Sequence, residues 1–296
     1  MPTDSFEKKR QIAYLHTEPG LPGSGRLRYA SAMYLRQQGE LSDAALEVYR
    51  ICAIRDQDDP APLLAERGLE SEIPPGQPLS PEDAIRDLVD AADRYLTALD
   101  GPGVAEVRSG IGTWRAKPVL AAPPRPNALV ASQLHVALEA LAGTRPSLAD
   151  AIAVAAPHLQ WITYDGYPAD EIGADFCAGH AYASIIGEDA PIRAEVFDFG
   201  LFLIEPHVLY RDHRHKAPEL YTPLTGPHGW RFDPSSPLVI KQAHEPVWNE
   251  PFAPHMTKVG PLPFLCFFGW TQDVNEAAQV IPAADWADLE TMRLDA

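Results

Sequence analysis

The sequence predicts a mainly β protein: a β-barrel or double-sheet jelly roll over residues 158–296, preceded by an α-helical region over 1–157. Three observations predict it. Helical periodicity runs through the first half of the chain and fades after about residue 158. Short apolar or alternating runs between turn residues then take over. The chain also holds 30 prolines, mostly in its last two-thirds. That is about twice average usage, and it suits short strands joined by shaped turns better than long helices.

In the first half, Asp43 to Arg55 sets Leu46, Tyr49, Cys52 and Ala53 on one helical face. A clearer helix starts after Ser80, with Pro81 at its first position and acidic residues in its first turn. Ile85, Leu88, Val89, Ala92, Leu96 and Leu99 form its apolar stripe, and Gly101 stops it. A third helix is expected from Asn127 to about Leu141, and a short fourth after Ser147. Pro/Gly-rich connections fall at 72–79 and 118–126. In the second half, strands are expected at Leu159–Tyr164, Ala181–Ile186, Phe197–Ile204, Trp230–Phe232, Pro237–Lys241 and Pro263–Trp270.

Composition narrows the function. A net charge of −17 disfavours nucleic acid and anionic membranes as partners, since both require basic patches. No apolar run approaches 18 residues, and no apolar segment follows the basic residues near the N-terminus. The three cysteines are widely spaced and form no CxxC pair, which favours a reducing cytoplasm over a disulfide framework or a thiolate zinc site. The expected partner is a small molecule.

The densest chemistry lies in residues 213–221, which read His-Arg-His-Lys-Ala-Pro-Glu-Leu-Tyr. Alternate strand residues share a face, so His213 and His215 project together. Pro218 breaks the ladder, and Glu219 and Tyr221 share a face on the next strand. Neutral imidazoles and a carboxylate suit one divalent transition metal: Zn, Fe, Mn, Co or Ni. A further ligand must come from elsewhere, and His255 and His244 are the two candidates downstream.

The pattern His213-x-His215-x3-Glu219-x6-Gly226 resembles the first motif of the cupin superfamily. His255 matches the histidine of the second cupin motif, without its usual glycines. Over about 158–275 the chain is similar, more narrowly, to the cupin-type dimethylsulfoniopropionate (DMSP) lyases and their lyase-like relatives. The match runs through Trp161 and Tyr164, Asp175-Phe176, Ile186-Gly187, Phe199-Gly200-Leu201, Tyr210-x-x-His213-x-His215-x3-Glu219-Leu220-Tyr221, Leu224-Thr225-Gly226, Trp230, Pro254-His255 and Trp270. The resemblance implies a cupin β-barrel with His213, His215, Glu219 and His255 on the metal. It also implies Tyr221 as the catalytic base and Tyr210 as a tyrosine that helps hold the substrate.

Such an enzyme removes the proton α to a carboxylate and expels dimethyl sulfide from the β-carbon, leaving acrylate. A nearby cation favours the phenolate form of Tyr221, whose unperturbed pKa is about 10. A sulfonium group needs an aromatic cradle. Trp230, Trp270 and Tyr182 are the expected substrate-binding residues, with Trp248 and Phe268 as further candidates. Two other functions use the same ligands: another cupin enzyme, such as a dioxygenase or isomerase, or a non-catalytic small-molecule-binding cupin. The helical leader is expected to cover a sheet edge, shape the pocket mouth or pair two subunits as a homodimer.

Overall fold

The computed structural model describes residues 3–21, 23–76, 79–123, 125–164 and 167–295. Residues 77, 78 and 124, within the two expected connections, lie outside the described residues. The chain divides into two compact units, one ending at Ser80 and the other running from Pro81 onward. Helices continue to Ala178 and the first strand opens only at His180, later than the change expected near residue 158, and compactness groups the helices after Ser80 with the strands.

The first unit holds α1 (Thr3–Leu15), α2 (Ser24–Gln37), α3 (Asp43–Ile51) and α4 (Pro60–Glu66). Leu15, Leu35, Val48 and Leu64 meet in one apolar cluster. The Ser42 side chain caps α3 by accepting from Ala45 N. This helix stops at Ile51, short of the expected Arg55. The following turn carries Asp56 to the start of α2, where its carboxylate accepts from the amides of Gly23 (2.8 Å) and Gly25 (2.9 Å).

The second unit begins with α5 (Pro81–Thr97), α6 (Val104–Trp114), α7 (Ala128–Ala142) and α8 (Pro146–Ala155). Glu82 and Asp83 occupy the first turn of α5, where negative charge complements the helix dipole. Its expected stripe is the buried face: Ile85, Leu88, Val89, Ala92 and Leu96. Asn127 caps α7 by accepting from Val130 N at 3.1 Å. Two short helices follow, α9 (Ala169–Ile172) and α10 (Ala174–Ala178).

The strands are β1 (His180–Gly187), β2 (Ile192–Arg193), β3 (Asp198–Ile204), β4 (Leu209–Arg214), β5 (Glu219–Pro223), β6 (His228–Arg231), β7 (Val239–Lys241), β8 (Val247–Asn249), β9 (His255–Lys258), β10 (Phe264–Trp270) and β11 (Gln279–Val280); α11 (Trp286–Thr291) ends the unit. They form a six-stranded sheet, β2-β1-β3-β10-β5-β8, and a five-stranded sheet, β11-β4-β9-β6-β7. All pairings are antiparallel except β1 with β2. Phe202, Tyr221 and Cys266 of the first sheet share one core with Tyr210 and Trp230 of the second. This is the double-sheet jelly roll that the sequence predicts, with apolar faces turned inward.

The expected strand at Leu159–Tyr164 is reduced to one bridge, Ile162 with Tyr182. Trp161 donates to Ala156 O at 3.1 Å, and Tyr164 N donates to His180 Nε2 at 3.0 Å, so the chain peels off the sheet on both sides of the bridge. The three cysteines are free thiols. No helix among the described residues is long and apolar enough to cross a membrane.

Candidate active site

Two strands from opposite sheets bring the residues of the 213–221 segment together. In a regular strand Tyr210 and His213, three apart, would face opposite ways. The β4–β9 register shifts between them, and both turn to the same side. Their rings stack at 3.9 Å. His213 is paired directly across from His255 on β9. His215 follows two residues after His213, and Glu219 reaches in from β5 of the other sheet.

The three imidazoles are buried and oriented alike. His213 Nδ1 lies 2.8 Å from Arg211 O, His215 Nδ1 2.8 Å from Ala217 O, and His255 Nδ1 3.0 Å from Ala253 O. A carbonyl only accepts, so each Nδ1 carries the proton and each Nε2 presents a lone pair. Candidate ligand atoms of the three rings lie within 4.8 Å of one another. Burial, with the other two rings adding to it, pushes His213 well below the ordinary histidine value, so it stays neutral.

Glu219 completes the group. Its Oε2 lies 3.1 Å from His215 Nε2, 3.3 Å from His255 Nε2 and 3.4 Å from Asn249 Nδ2. Trp270 Nε1 donates to its Oε1 at 2.7 Å. Burial alone would raise this carboxyl, but His215 and His255 beside it hold it well below the usual carboxylate range. The Nε2 atoms of His213 and His255 are buried without a hydrogen-bond partner. Buried polar atoms are rarely left so, and three aligned lone pairs beside an ionised carboxylate fit a divalent transition metal.

Tyr221, two residues after Glu219 on β5, is buried at the edge of this group. Burial and the neighbouring Glu219 push its phenol well above its ordinary value. A cavity of about 160 Å³, some five waters' worth, opens over Glu219 and Tyr221. Tyr182, Phe268 and Trp270 line it, as does Tyr210. Of the expected substrate-binding residues, Tyr182 and Trp270 therefore face the cavity. Trp230 does not: it is fully buried outside the lining, its ring 5.6 Å from that of Tyr221, and it supports that ring as core.

Of the two downstream histidines, His255 joins the cluster and His244 does not. Both His244 nitrogens are engaged elsewhere, with Tyr95 Oη at 3.1 Å and Thr144 Oγ1 at 2.9 Å. His228 accepts from Gly260 N at 3.1 Å and meets Thr225 Oγ1 at 3.3 Å, a structural role.

Among the polar lining residues, Tyr167, His180 and Asp198 were not expected at the site from the sequence. Tyr167 and Tyr210 share a 2.7 Å hydrogen bond between hydroxyls. His180, Phe176, Tyr210 and His213 stack face to face at 4.0, 4.0 and 3.9 Å, a column of four rings that braces a histidine of the cluster. The column joins residues from β1, α10 and β4, so no local spacing announces it.

The chain is similar to several known proteins. A curated dimethylsulfoniopropionate lyase, DddQ of Ruegeria pomeroyi, is 28% identical over 153 residues, 51% of this chain and 72% of that protein. Among solved structures, one described as crystal structures of the DMSP lyases RdDddP and RnDddQII superposes with a TM-score of 0.53. It shares 20% identity and covers 69% of this chain and all of the other. The structure of DMSP lyase DddQ from Ruegeria pomeroyi aligns at 21% identity over 67% of this chain and 95% of its own, with a TM-score of 0.47. The dimethylsulfoniopropionate lyase family model matches residues 115–266, just over half of the 296 residues, and the chain belongs to that family.

Proposed function

We propose that the protein is a metal-dependent carbon–sulfur lyase that cleaves DMSP, or a closely related β-substituted carboxylate, by β-elimination. One observation carries the reading. Three buried Nε2 lone pairs and an ionised glutamate converge beside Tyr221 at an aromatic-lined cavity. His213, His215, His255 and Glu219 would hold the metal. When bound, it supplies a Lewis acid that offsets the substrate carboxylate's charge, stabilises enolate character at the α-carbon and favours the phenolate of Tyr221.

The remaining work belongs to the chain. Tyr221 takes the α-proton on its phenolate oxygen. The electrons of the Cα–H bond form the new double bond, and the Cβ–S pair leaves with sulfur as dimethyl sulfide. Acrylate remains, and Tyr221 returns its proton to water. Tyr210, held by its hydroxyl to Tyr167 and by its ring between Phe176 and His213, positions the substrate. Trp270 and Tyr182 offer π faces to the sulfonium. Buried rings around the cavity limit water beside the base, which strengthens each electrostatic contact.

The test is headspace detection of dimethyl sulfide from purified protein given DMSP, with elemental analysis of the same sample. Rapid release that tracks metal content is the expected result. Release no faster than the solution background, from protein carrying its metal, would overturn DMSP as substrate.

A further inference from the structure

Asp198 is the one carboxylate of the cavity that the proposed elimination leaves unused. It opens β3 and stands across from Trp270 on β10, which in turn stands across from Glu219 on β5. The three residues occupy one rung of the sheet, so the Asp198 and Glu219 backbones lie two strand spacings, about 10 Å, apart across the sheet. The Oδ1 atom of Asp198 is shielded from solvent and has no hydrogen-bond partner. Gly187 makes room for it, since a Cβ there would lie 2.8 Å from that oxygen.

Nothing in the lining balances this carboxylate. Among the described lining residues there is no lysine or arginine. His180 is committed in its neutral form: Nδ1 meets Phe176 O, and Nε2 accepts from Tyr164 N. The negative charge of Glu219 is engaged by its histidine, asparagine and tryptophan neighbours. A buried carboxylate with no cation beside it and one oxygen unpartnered is costly unless a ligand completes it. A hydrogen-bonding ligand would be served equally well by an amide or hydroxyl. A carboxylate in a cavity that the rings of Tyr182, Phe268 and Trp270 also line instead matches a cation that lacks strong donors.

We infer that Asp198 is the specificity-determining residue at the far end of the cavity, where its carboxylate selects substrates bearing a compact alkylated cation over uncharged ones of the same shape. The assignment rests on the lyase reading for the substrate's identity, and on the placement of Asp198 for the preference itself. Burial pushes the Asp198 carboxyl up to about 7, against a hydrogen bond from Ser184. A cation nearby reverses that shift, which is the response expected of a receptor group.

The test uses two non-reacting probes of nearly equal shape. N,N,N-trimethyl-β-alanine carries a cation without any N–H at the position of the sulfonium, and 4,4-dimethylpentanoate carries a neutral carbon there. Calorimetric titration of the metal-loaded full chain is expected to show tighter binding of the cationic probe. Asp198→Asn should weaken that probe by about tenfold and leave the neutral acid within about twofold, the loss of a single charge contact. Asp198→Ala should change the ratio in the same direction. Retained affinity for the neutral acid reports that each variant is folded. Equal weakening of both probes, an unchanged ratio, or binding of neither probe by wild type would overturn the inference. Absence of dimethyl sulfide release would end the DMSP reading alone, because the probe ratio measures Asp198 without turnover.

Discussion

The barrel buries two groups of histidines and leaves them in opposite states. His180 and His228 each engage both ring nitrogens with groups of the surrounding chain. His213, His215 and His255 each spend Nδ1 on a backbone carbonyl and aim Nε2 at a common point, where Glu219 is the neighbouring group. All five are buried to a similar degree. Burial does not separate a structural histidine from a ligand; the lone pair left over once the backbone is satisfied does.

Removing a member of the convergent group should have the largest effect. His215→Ala or Glu219→Ala is expected to lower metal affinity by more than about 100-fold, beyond the loss typical of residues that only orient ligands. Metal content at wild-type level, measured on the purified variants, would collapse the distinction between the two groups. Tyr221→Phe separates chemistry from ligation. It should keep both metal and melting temperature while kcat falls by about 10²- to 10⁴-fold, the usual worth of a general base. Retained turnover would remove Tyr221 as the base.

The smallest effect is expected on the other side of the comparison. His228→Gln should leave metal content and turnover near wild type and cost about 1–3 kcal/mol of stability, because Gly260 N and Thr225 lose their buried partner. Its pH signature is specific. Burial lowers His228 to about 3, so between there and the unfolded value of about 6.5 only the unfolded chain binds the proton. Wild type should therefore lose stability as pH falls through that window, and part of the slope should vanish in His228→Gln. An unchanged slope in chemical denaturation would show that His228 is not the buried neutral group described.

The sequence makes the ligand segment legible because strand alternation converts spacing into a shared face. His213 and His215, then Glu219 and Tyr221, needed only that rule. His255 needed the resemblance, since His244 is equally well placed along the chain. Trp230 and Trp270 look alike in sequence, and only the register of β10 against β3 and β5 turns Trp270 into the cavity while Trp230 joins the core. Asp198 and His180 were hidden for the same reason: their surroundings come from strands far apart in sequence. The helical half was legible where a cap and a stripe coincide, as at α5 and α7. It was not legible at α1, α2, α4 and α6, whose apolar faces are shorter or interrupted.

The bond from Trp270 Nε1 to Glu219 Oε1 constrains any attempt to remodel this cavity. The same indole lines the cavity, lies 4.6 Å from the His215 ring and fixes one oxygen of the carboxylate proposed as a ligand. Exchanging it for phenylalanine to fit a bulkier substrate would keep the apolar wall but free that oxygen to rotate. With Glu219 on the metal as proposed, substrate range and metal affinity become coupled traits. A variant library at position 270 should favour side chains with an N–H to give, and broadened specificity reached through phenylalanine would carry a penalty in metal retention.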